Sequence, residues 1–150
     1  METEHIIPAT LLRDFVHAGA AIFTLHSSVS GKRYTFKVSA SEPSEQYPER
    51  CWFVSLLTGP DNTADYHYIG RIAKHRGGLE FRAKHPHPAA DAFGWFHPRA
   101  VNGTLPATCG VTHAGRCARC ARLLTVPESV ATGFGPDCAA MLGIVIRAVG

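Results

Sequence analysis

The sequence lacks any apolar run approaching the ~20 residues that a membrane-spanning helix needs. Its opening, Met1-Glu2-Thr3-Glu4-His5, is acidic and lacks the basic start and apolar stretch of a secretory signal. The expected compartment is therefore the cytoplasm, with no membrane partner. H-E-x-x-H, P-loop, G-x-G-x-x-G and G-x-S-x-G motifs are also missing. A zinc deaminase requires H-x-E and P-C-x-x-C, whereas His113 is followed by Ala114 and Gly115. These absences lean against an enzyme. Internal repeats and low-complexity tracts are lacking too. What remains, 45% hydrophobic and 18% charged residues over 150 positions, is ordinary globular composition and excludes wholesale disorder.

Charge is unevenly spread. Residues 1–70 hold five Lys/Arg against eight Asp/Glu, and residues 71–150 hold ten against four. The net +3 thus conceals an acidic first half and a basic second half, the balance an anionic partner favours.

The chain predicts an α+β fold. Pro8–Gly19 reads as a short helix, with Leu11, Leu12, Phe15 and Val16 on one face and Gly19 as its stop. Strands are expected at Ala20–Leu25, Arg33–Val38, Cys51–Leu57, Asp65–Ala73 and Leu79–Ala83, with Trp52 and Phe53 in the core. The intervening turns, Gly59-Pro60-Asp61-Asn62 among them, suggest an antiparallel meander. His85-Pro86-His87-Pro88 reads as a rigid linker rather than a second metal site, and Ala89–Phe96 as a helix covering the sheet. A first unit, residues 1–105, is thus a small antiparallel sheet with one or two packed helices. Residues 106–150 would form a second, treble-clef-like zinc finger.

The five cysteines are Cys51, Cys109, Cys117, Cys120 and Cys138. An odd count containing one C-x-x-C pair points to a metal site with spares rather than a disulfide framework. Cys117 and Cys120 can grip one ion from a single tight turn, as in tetrahedral zinc sites. Cys138 follows eighteen positions later in Gly135-Pro136-Asp137-Cys138, a helix start whose free N–H groups would favour an ionised thiol. That helix is expected to bury Cys138, Met141, Leu142, Val145 and Val149. Between the two Cys segments, Arg122–Val126 is a candidate strand, and Thr125 and Glu128 have capping-box spacing for a helical turn ended by Gly133. His113, four residues before Cys117, is the expected fourth ligand, with Cys109 its rival. The cofactor would be a structural Zn2+.

The pattern H-x3-C-x2-C-x-R-x-L-T-x-P-E-S followed by G-x-G-P-x-C-A, carried by His113, Cys117, Cys120, Arg122, Leu124, Thr125, Pro127, Glu128, Ser129, Gly133, Gly135, Pro136, Cys138 and Ala139, resembles an uncharacterised family of small phage and prophage proteins, a domain of unknown function read as a zinc finger. The segment Phe53–Asn62 is similar to its longer members. The resemblance implies a phage or mobile-element setting and a metal-stabilised fold, and transfers no catalytic activity. Ala121 stands where the pattern would have Gly, suggesting that the backbone there need not adopt positive φ.

Two basic groups are candidate contact surfaces: Arg116, Arg119 and Arg122 around the C-x-x-C turn, and Arg71, Lys74, Arg76, Arg82 and Lys84 on a hairpin. The expected function is non-enzymatic binding of a macromolecular partner, with the charge split favouring nucleic acid. The alternatives are inhibition of a host factor or antiphage defence complex through protein contacts, and, less favoured, a metal-dependent nuclease.

Overall fold

The computed structural model describes residues 6–45, 48–60, 64–124 and 127–143. A 3-10 turn (Ala9–Leu11) leads into α1 (Leu12–Val16), followed by β1 (Ala20–Ser27), β2 (Arg33–Ser41), β3 (Cys51–Leu57), β4 (Tyr66–His75) and β5 (Gly78–Ala83). Then come α2 (Pro88–Asn102), β6 (Cys109–His113), α3 (Pro127–Thr132) and α4 (Pro136–Met141). The strands form one curled antiparallel sheet in the order β5-β4-β3-β2-β1-β6. The expected meander is present, and alternation of apolar and polar residues sets its two faces. In β1 the buried residues are Ala21, Phe23 and Leu25; in β2, Phe36 and Val38. Register places Phe23 opposite Phe36, so both rings enter the same core.

That core lies under the helices. Phe93 of α2 meets Phe36 at 5.0 Å and Phe81 at 4.7 Å between ring centroids, and Phe96 meets Phe23 at 5.6 Å. Aromatic rings offset or edge-on at such distances combine large buried area with favourable quadrupole contacts. α2 is longer than the sequence suggests, starting at Pro88 and passing through Pro98. The His87 Nδ1 caps its start, accepting from the Ala89 N–H at 3.0 Å, which gives half of the H-P-H-P run a structural role. Burial of Phe96, His97 and Ala100 carries the helix beyond the proline.

Buried residues on both sides of the division expected near residue 105 fall in one cluster. β6, which sequence patterning did not reveal, pairs with β1 from Phe23–His113 to Ser27–Cys109. Its outer edge takes a bridge from Ile6 to Thr112, and the Ile7 N–H donates to Val111 O at 2.8 Å. Cys117, Ala118, Leu124, Phe134, Cys138 and Ala139 belong to the same buried cluster as Ile7, Phe15 and Phe23. No strand spans the described part of Arg122–Val126; Leu123 alone makes a bridge, to Arg116. The Thr125 end of the expected capping box and the Glu128 side chain lie outside the described residues, as do Asp61 and Asn62 of the β3–β4 turn.

The buried face of α4 also differs from expectation. Cys138 and Ala139 are buried, whereas Met141 and Leu142 are 68% and 41% exposed; Val145 and Val149 lie outside the described residues. A six-residue helix has room for one inward turn, and its cysteine fills it.

Candidate functional site

The metal-ligating group is built by a tight hairpin after β6. Arg116 bridges Leu123, the Cys117 N–H donates to Arg122 O at 2.8 Å, and the Ala121 N–H donates to Cys117 O at 2.8 Å. Closing that last turn puts Ala121 at φ 64°. The absence of Gly at this position therefore does not relax the backbone: the turn keeps its left-handed residue and accepts the Cβ. Ala20 N–H to Ala118 O (2.6 Å) and Ala118 N–H to Gly133 O (2.9 Å) fasten the hairpin to β1 on one side and to the end of α3 on the other.

Cys117 and Cys120 project from this turn and Cys138 from α4, with their three sulfur atoms within 4.8 Å of one another. A tetrahedral ion with sulfur at about 2.3 Å would hold its sulfurs roughly 3.8 Å apart. The three cysteines can therefore hold one metal ion with small side-chain adjustment. Cys117 is fully buried, Cys138 nearly so, and Cys120 is exposed, so the group sits at the protein surface with a dry inner wall.

The electrostatics favour one sulfur in particular. Burial pushes the Cys117 thiol up, but N–H donors from Gly135, Cys120 and Arg119, with the Cys138 thiol, outweigh it and bring its pKa below the ordinary value. Sequence logic assigned the free N–H groups at the start of α4 to Cys138. Instead the Gly135 N–H is directed at Cys117. Cys138 is pushed up by burial, offset in part by the Arg119 guanidinium, whose Nη1 donates to its Sγ at 3.5 Å.

His113, the expected fourth ligand, stands outside this sulfur group. Its Nδ1 accepts from the Gly115 N–H at 2.9 Å, and its Nε2–H donates to Val130 O at 2.7 Å. With both ring nitrogens engaged and its ring 6.2 Å from that of Phe15, it ties the end of β6 to α3. The rival, Cys109, lies opposite Ser27 at the other end of β6. The buried Cys51 is in β3.

The arginines around the turn have unequal roles. Arg119 is partly buried against Cys138, the Arg116 Nη1 donates to Ala121 O at 3.1 Å, and Arg122 is exposed. The basic hairpin is likewise divided. Lys74 and Arg76 sit at its tip, near the C-terminal end of α2. Arg71 and Arg82 lie opposite each other on the sheet face turned away from the helices.

That face also carries residues that sequence reading did not single out as functional. Lys37, Ser55 and Tyr68 follow one another across β2, β3 and β4, and Ser39, Phe53, Arg71 and Arg82 form the adjacent row. Tyr68 is 42% exposed and packs edge-on to Phe53 at 5.8 Å. The Lys84 ammonium lies 5.5 Å from the Tyr68 ring centroid, and that of Lys37 lies 5.5 Å from Tyr66. The available signal was the period-2 alternation: Lys37 occupies the polar side of β2, and Tyr66 and Tyr68 share one side of β4. A bulge between Val54 and Ser55, opposite the extra residue Ile69, hides the continuity of this face in the sequence.

Residues 105–143 match the model of a family of unknown function (DUF6011), which covers the sulfur group and both of its flanking helices. No curated protein and no solved structure gives a significant match to the chain.

Proposed function

We propose that this chain is a non-enzymatic, zinc-stabilised protein that binds single-stranded nucleic acid on the open face of its sheet. The observation that carries the reading is the combination of Phe53, Tyr66 and Tyr68 with Lys37, Arg71, Arg82 and Lys84 on one side of β2–β5. Aromatic rings on an open sheet let unpaired bases stack, at about 1–3 kcal/mol per base. Cations beside the rings offer contacts to the phosphates of a strand laid across the sheet. Duplex DNA hides its base faces and would use the cations alone.

Zinc is the proposed ion because clustered thiolates joining a C-x-x-C turn to the first turn of a helix suit its tetrahedral preference, in the manner of a treble-clef finger. Its role would be structural: the turn and α4 are too short to hold each other by apolar burial alone. A phage or prophage setting in the bacterial cytoplasm belongs to the same proposal, supported by the C-terminal motif.

Fluorescence anisotropy with single-stranded and duplex DNA and RNA, over a salt series, tests the binding. Single strands should bind more tightly than duplexes, and three to four phosphate contacts should give a log–log salt slope of roughly −2 to −3. Equal affinity for duplexes would remove the stacking role of the aromatic face. No binding to any of them at low salt would remove nucleic acid as the partner and favour a protein target.

A further inference from the structure

Three sulfur donors leave one vertex of a tetrahedral site to be filled. Among the described residues, His113 is engaged at both ring nitrogens, and Cys109 and Cys51 are placed elsewhere. A cavity of about 190 Å³ opens beside the sulfurs, lined by Cys120 and Cys138 together with Leu124, Ser129 and the exposed Asp137, whose carboxylate lies outside the sulfur group. At about 30 Å³ per water molecule in the liquid, it has room for a small ligand or a few waters. Ser129 is 2% exposed, and its hydroxyl has no hydrogen-bond partner among the described residues. Buried hydroxyls are almost always satisfied, so an orphan lining a cavity shared with two thiols indicates a missing partner.

The backbone around Ser129 is firmly placed. Its carbonyl accepts from the Gly133 N–H at 2.8 Å and from the Thr132 hydroxyl at 3.3 Å, and the neighbouring Val130 carbonyl is held by His113. The strand that was to deliver an imidazole ligand thus anchors the helix that presents the hydroxyl.

We propose that Ser129 supplies the fourth position of the Cys117–Cys120–Cys138 site with oxygen, either as its own hydroxyl or as a water it holds, giving a three-sulfur, one-oxygen donor set. The inference rests on the metal reading of the three cysteines. Oxygen is the most readily exchanged donor of such a set, and the cavity beside Cys120 gives it a route to solvent.

Cobalt(II) replacement in the full chain reads the donor set directly, because thiolate-to-metal charge-transfer intensity scales with the number of sulfurs. Zinc-edge X-ray absorption of the wild-type protein counts the same donors. The expected wild-type result is three sulfurs and one light atom without imidazole scattering. Ser129→Cys should raise the charge-transfer intensity by about a third, toward a four-sulfur spectrum. Ser129→Ala should weaken cobalt binding tenfold or more and yield a spectrum that responds to added cyanide, whether or not the wild-type spectrum does. A wild-type spectrum that already responds to cyanide identifies the oxygen as a held water; one that does not identifies the hydroxyl itself. Far-UV circular dichroism of both variants establishes that they are folded. Imidazole or a fourth sulfur in the wild-type protein would overturn the inference while leaving the metal site intact. So would an unchanged spectrum and affinity in Ser129→Ala. Failure of the wild-type chain to take up cobalt or zinc would instead overturn the metal reading itself.

Discussion

Ala121 and Gly133 are two left-handed positions with opposite fortunes. Ala121 holds φ 64° with a Cβ that disfavours it, at the residue whose N–H closes the C-x-x-C turn on Cys117 O. Ala121→Gly should therefore stabilise the metal-loaded protein by about 1 kcal/mol, read from the chemical-denaturation midpoint. Gly133 holds φ 80°, and a Cβ there would lie 2.7 Å from Phe15 Cε2 and 2.8 Å from Ile7 Cδ1. Backbone strain and a clash with fully packed core atoms then act together. Gly133→Ala should cost about 2 kcal/mol or more in the same measurement. A variant as stable as the parent would mean that the α3–α4 turn does not pack on α1 in this way.

Two elements carry titratable or aromatic groups whose effect depends on their setting. His97 of α2 is 1% exposed, stacks on Phe93, and lies 2.9 Å, Nε2 to Nε2, from His17 just beyond α1. The His17 Nδ1–H donates to Arg13 O, so when both rings are neutral its Nε2 accepts from the His97 Nε2–H. Burial, then the charge of a protonated His17, lowers the His97 pKa from 6.5 to about 3. The folded state therefore binds fewer protons than the unfolded state. The stability contribution is complete above pH 6.5 and is lost as pH falls toward 3, with a ceiling of about 5 kcal/mol. His97→Gln should flatten this acid limb relative to the parent; parallel pH–stability curves would contradict it. On β4, Tyr68→Ala removes one stacking surface. It should weaken single-strand binding by about 1–3 kcal/mol while barely changing the melting temperature, because the ring is 42% exposed. An unaltered affinity would place the contact surface elsewhere.

At the scale of the whole molecule, the sulfur group belongs to the same core as the sheet. Phe15 touches Phe23 at 6.0 Å and Phe134 at 6.1 Å, joining α1, β1 and the segment before α4. Loss of the ion or of a ligand should therefore propagate beyond the C-terminal segment. Chelation, or Cys138→Ser, should lower the melting temperature in one transition seen alike by far-UV circular dichroism and by tryptophan fluorescence. Trp52 is a suitable reporter, since its indole N–H donates to His17 O at 3.1 Å beside α1. Two separated transitions, with the tryptophan signal unaffected by chelation, would indicate that the sheet is an independent unit.

The amino-acid order alone determined the meander, because strict alternation in Tyr34–Val38 and the turns between the runs leave few ways to bury Phe36 and Val38. It also determined the cysteine trio: C-x-x-C and G-P-x-C are local geometries, each complete within a few residues. It did not reveal β6, whose Cys109–His113 run looks like a strand only once β1 offers an open edge. Nor did it show that His113 bonds Val130 and Gly115, that Lys37 and Lys84 meet tyrosines, or that Ser129 lines one cavity with Cys120 and Cys138. Those relations join residues far apart in the chain or on opposite sides of a turn. They are fixed by register, by curl and by which edge remains unpaired, quantities that only the packed molecule possesses.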